Sequence, residues 1–161
     1  MSIFGLSVLV DTCLLILIAI AYGTRRWEQS KAQRAKLAAL HRDRFRDLGF
    51  LTDVLPESAV SREMLCLLVR NLVMHLEKSV ELDSTNTAMK DRLNSVRHLA
   101  DRVYRGERLP KPAPAGSIWD QIKDVQRALK IMKEFILQQH KGGFLTKESA
   151  KVNIKSLHQI N

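Results

Sequence analysis

Residues 3–27 read IFGLSVLVDTCLLILIAIAYGTRRW. From Ile3 to Gly23 the only charged residue is Asp11, and Thr24, Arg25, Arg26 and Trp27 follow directly. As an α-helix the 21 positions (23 − 3 + 1) rise roughly 31 Å, about the thickness of a bilayer's hydrocarbon core. The stretch predicts a transmembrane helix over 3–23, preceded by a short extracytoplasmic segment at 1–2. A cleaved signal peptide is the rival reading, because Ala19-Ile20-Ala21 offers a small-x-small pair. Against it, no Lys or Arg precedes the run, which exceeds the roughly 7–15 residues of a signal core, and basic residues follow it at once.

The charge is uneven along the chain. Residues 24–47 hold eight basic side chains (Arg25, Arg26, Lys31, Arg34, Lys36, Arg42, Arg44, Arg46) against three acidic ones (Glu28, Asp43, Asp47), 8 − 3 = +5 of a net +9. The positive-inside rule places everything after residue 24 in the cytoplasm and the N-terminus outside. Arg25, Arg26, Trp27, Lys31 and Arg34 are the candidates for contact with anionic lipid headgroups. The same charge would suit a membrane-tethered nucleic-acid binder, the alternative reading, but aromatic residues are scarcely interleaved with the basic ones. Cys13 lies in the span and Cys66 in an apolar helix, at depths too different for a bridge. A cytoplasmic domain would keep both reduced.

The rest of the chain reads as all-α. Residues 24–48 are rich in Glu, Gln, Lys, Arg, Ala and Leu, with no Gly or Pro before Gly49, and predict a basic stalk helix continuing the span. A helical hairpin is expected over 56–106. Pro56, Glu57 and Ser58 mark the start of its first helix, which runs to about Glu81 and is apolar on nearly every side. Its apolar centre, Met64 to Leu76, is too short to cross a membrane and includes Arg70, Asn71 and His75. In the second helix Met89, Leu93, Val96, Ala100 and Val103 recur at intervals of 4, 3, 4 and 3, one stripe for antiparallel packing.

Pro110, Pro112 and Pro114 mark a stiff linker over 107–116. Amphipathic helices follow over 117–161. Ser117 and Asp120 form a capping signal, and Ile118, Ile122, Val125, Leu129, Met132 and Ile136 make a stripe suited to a bundle core, a short coiled coil or a partner-binding face. Gly142-Gly143 closes that helix. Ala150, Val152, Ile154, Leu157 and Ile160 give a weaker pattern for a last helix, docked or mobile.

Chemistry is sparse. His41, His75, His98, His140 and His158 are dispersed, no Cys or His pair has metal-ligand spacing, and no phosphate-binding loop or nucleophile motif occurs. The expectation is no catalytic site, no metal and no cofactor. His75 reads as a core histidine bonded to a neighbour. Asp11, near mid-depth of the span, costs on the order of 3 kcal/mol there. Either it is locally bonded or it meets a polar group on a partner transmembrane helix.

The run Leu9-Val10-Asp11 with Leu14, Leu15 and Leu17 is similar to the membrane helix of proton-driven biopolymer transport subunits. Those proteins carry the basic segment before the helix, whereas here it follows, which implies the opposite orientation. From the anchor and from amphipathic helices without catalytic residues, the expectation is a single-pass membrane adaptor or assembly subunit. It would engage a protein partner, or a second copy, through its cytoplasmic helices.

Overall fold

The computed structural model describes residues 3–56, 60–108 and 111–159, with side chains from Thr12 onward. Five helices follow one another: α1 (Ile3–Val54), α2 (Arg62–Leu82), α3 (Thr87–Tyr104), α4 (Ile118–Lys141) and α5 (Lys147–His158). No strand occurs among the described residues, so the all-α expectation holds.

α1 is a single helix of 52 residues. It does not stop near residue 48 but passes through Gly49. A glycine inside a helix costs only about 1 kcal/mol relative to alanine. Here it is flanked by Phe45, Leu48, Leu51 and Leu55, all buried, and their burial outweighs that cost. Ala38, Phe45, Leu48, Leu51 and Leu55, with half-buried His41 between them, form one helical stripe. The expected stalk is therefore a member of the bundle from Ala38 onward.

α2 lies antiparallel to this part of α1, with His75 beside His41 and Asp83 4.0 Å from Arg42. It begins later than Pro56 suggested. Ser61 is its N-cap, accepting from the Met64 amide at 3.2 Å, while Glu57 and Ser58 lie outside the described residues. Met64, Leu68, Val69, Leu72 and Leu76 are buried, but Met74 is 42% exposed, so α2 is central without being enclosed. α3 returns antiparallel on α2, capped by Asn86 and joined to it by the Glu77–Arg97 ion pair. Its Leu93, Ala100 and Val103 are buried, as the stripe predicts.

Gly106 ends α3 at φ +83°, its amide bonding to Val103 and that of Glu107 to Arg102, a Schellman closure. A side chain at Gly106 would also meet the Arg62 guanidinium at 2.9 Å. The linker does not separate two bodies. Lys111 donates to the Leu55 carbonyl, and α4 packs antiparallel on α1 through Asp47–Arg127 and through Arg127 over the Phe50 ring. The Ser117–Asp120 capping box forms as expected. α5 is docked, with Ala150, Asn153 and Leu157 buried and Ser149 donating to Glu63 of α2. One core draws on all five helices, from Phe45, Leu51, Leu68 and Leu93 to Ile136 and Leu157.

Candidate functional site

Three surfaces and one internal polar layer stand out among the described residues. The first surface is the proximal part of α1. Leu14, Leu15, Ile16, Leu17, Ile18, Ile20 and Tyr22 are each 55–68% exposed, and none packs against the bundle. Among the described residues no helix is long and apolar enough to cross a membrane. The span expected over 3–23 also draws on residues 3–11, whose side chains, that of Asp11 included, lie outside the described ones.

Arg25, Arg26, Trp27, Lys31 and Arg34 follow on the same free helix, all exposed. The Lys31 ammonium sits 4.1 Å from the Trp27 ring centroid. Spacing of four residues brings the two side chains onto one face.

The second surface is the start of α4. The stripe from Ile118 to Ile136 divides along its length. Ile118 is 74% exposed and Ile122 is 43% exposed, Val125 and Leu129 are half-buried, and Met132 and Ile136 are in the core. Met132 and Ile136 are thus unavailable to a partner, because α1, α2 and α5 already cover that end. Trp119 adds a further exposed ring beside Ile118. Next to them a groove of about 590 Å³ opens between the end of α1 (Phe50, Val54), the linker (Pro112, Pro114) and α4 (Val125).

The third surface lies between α1 and α3. Ala39, Phe45 and Met89 line its floor and Arg42, Arg46 and Arg92 its edges, around about 490 Å³. Sequence reading missed this cluster, because its arginines come from two helices and only the fold brings them together.

The internal layer centres on His75, bonded as expected but to a residue 34 positions away. His41 Nδ1 and His75 Nδ1 are 2.9 Å apart, so one ring donates and the other accepts. Burial, then the facing His41, then Arg44 lower the His75 pKa. Asn71 donates to the Leu67 carbonyl at 2.8 Å and reaches Gln139 Oε1 at 3.5 Å. Arg70 takes no part in this layer; its guanidinium lies over the Phe144 ring. The signal for His41 was its place in the Ala38–Phe45 stripe.

Among the described residues no group of three or more His, Cys, Asp or Glu side chains could hold a metal ion. Cys13 and Cys66 are free thiols. Comparison of the chain with protein-family models, curated proteins and solved structures finds no match.

Proposed function

We propose that this chain is a single-pass membrane adaptor or assembly subunit, with the residues before the span outside and the helical bundle in the cytoplasm. One observation carries the reading: Leu14 to Ile18 are five consecutive apolar residues, all more than half exposed. Successive helical residues are about 100° apart, so these five point in every direction around the axis. A partner helix covers one stripe; a bilayer covers the whole circumference. Left in water, such a collar would be a large contiguous apolar patch of the kind that marks a membrane or protein contact.

The apolar sequence from Ile3 to Val10 supplies the length that the described residues alone lack. The basic residues from Arg25 onward would meet anionic headgroups and fix the orientation. Burial in the bundle starts at Ala38, 38 − 23 = 15 residues after Gly23, so the helix would hold the bundle about 22 Å from the end of the span. Engagement of a partner is supported by the exposed Ile118, Trp119 and Ile122 at the far end of the bundle. In this reading Asp11 sits within the span, where a polar group on a second transmembrane helix would satisfy it.

Crosslinking in intact membranes followed by mass spectrometry tests the adaptor function. The expected result is a reproducible protein partner joined through α4 or the span; recovery of monomer alone would overturn it.

A further inference from the structure

The groove between α1 and α3 combines an apolar floor with a concentrated charge. Phe45 is buried and Met89 half-buried beneath it, and Ala39 completes the floor. Its lining holds three guanidinium groups, Arg42, Arg46 and Arg92, against one carboxylate, Asp43, for 3 − 1 = +2. Asp43 is taken up by Arg46, and Arg42 faces Asp83 only at 4.0 Å. Arg92 lies over the Phe45 ring at 5.1 Å and makes no ion pair among the described residues.

We propose that this groove docks an acidic amphipathic segment of a partner protein, its carboxylates on Arg42, Arg46 and Arg92 and its apolar side chains on Ala39 and Met89. The proposal rests on the adaptor reading and names the chemistry of the partner. Guanidinium groups present forked donors that match carboxylates, and the floor selects against a merely acidic chain by requiring apolar side chains as well. A lipid headgroup fits less well. Ala39 lies 39 − 23 = 16 residues beyond Gly23, about 24 Å along the helix, deeper into the cytoplasm than a headgroup layer extends. A single-stranded nucleic acid would need an open aromatic face to stack on, and Arg92 already covers Phe45.

The test uses the full chain in nanodiscs of zwitterionic phosphatidylcholine, with empty nanodiscs as background. The probe is a fluorescent amphipathic peptide with Leu at helical i, i+3, i+4 and i+7 spacing and Glu elsewhere, followed by anisotropy. Saturable binding that weakens with salt is expected, and about tenfold loss in the R42Q/R46Q/R92Q variant, since each solvent-accessible arginine contributes modestly. Peptides with Lys for Glu, or Ser for Leu, should bind at least about tenfold more weakly. The D43N variant frees Arg46 and should tighten binding, a gain that misfolding cannot mimic.

No binding of the Glu peptide, or equal binding by the wild type and the triple variant, would overturn the proposal. So would a short oligonucleotide or phosphatidylserine nanodiscs showing the arginine dependence that the peptide lacks. If the peptide fails while crosslinking in membranes still yields a partner, the groove is excluded and the adaptor function stands. Peptide binding without any crosslinked partner would remove the adaptor function instead.

Discussion

His41 and His75 join α1 and α2 by a contact that depends on protonation. Their 2.9 Å Nδ1–Nδ1 contact needs one donor and one acceptor, so it is lost if both rings carry a second proton. The His75 pKa is lowered in the folded protein, first by burial and then by His41 and Arg44, with Asp47 on α1 and Glu134 on α4 lining the same small cavity. In the window below about pH 6.5, the unfolded chain therefore binds more protons at this residue than the folded one does. Its contribution is complete above that pH and is lost as the pH falls. Thermal denaturation from about pH 8 to about pH 5 should show a falling Tm that is shallower in the H75Q variant; equal slopes would assign the effect elsewhere. Ile122 and Ile136 carry the second residue-scale expectation. Ile136→Ala should cost about 2–5 kcal/mol in urea denaturation, and Ile122→Ala much less, because only Ile136 is fully enclosed. Similar losses at both would contradict the division of the stripe. In sequence the two isoleucines occupy equivalent positions, and only the placement of α1, α2 and α5 over one end of α4 tells them apart.

Helix ends were legible where capping side chains or glycines mark them locally. Ser117 caps α4 as its spacing to Asp120 implies, and Gly143 takes the left-handed conformation that closes it. Such signals are local, and local chemistry is what a sequence states directly. Asn86 caps α3, accepting from the Met89 amide at 3.2 Å. Asn86→Ala should lower stability by about 1 kcal/mol, and Asn86→Gly by only a few tenths, as read by chemical denaturation; equal losses would place the effect in tertiary contacts and not in the cap. The end of α1 was not legible in this way. Gly49 looks like a terminator, yet Leu51 and Leu55 beyond it belong to the core shared with α2 and α4. The start of α2 was misplaced for the opposite reason: Pro56-Glu57-Ser58 is a sound capping signal, yet Ser61 makes the cap.

At the scale of the whole molecule, the division suggested by the proline-rich segment dissolves into one core, because Lys111 ties the linker to the end of α1 and α4 returns along that helix. What then stands apart is the first part of α1, outside the bundle from Thr12 to Leu37 and exposed throughout. A helix so placed, apolar around its axis and then basic, has no reason to persist alone in water, where isolated helices are stabilised mainly by the surfaces they bury. Insertion in a bilayer would bury that apolar surface, and the proposed membrane adaptor function depends on it. The most direct measurement is flotation of the full chain with phosphatidylcholine/phosphatidylserine vesicles after washing in alkaline carbonate, beside a variant in which Leu15, Ile16, Leu17 and Ile18 are all replaced by Gln. The wild type should remain with the vesicles through the wash and the variant should be released. A wild type released by carbonate, or a variant retained as firmly, would contradict membrane insertion of this helix.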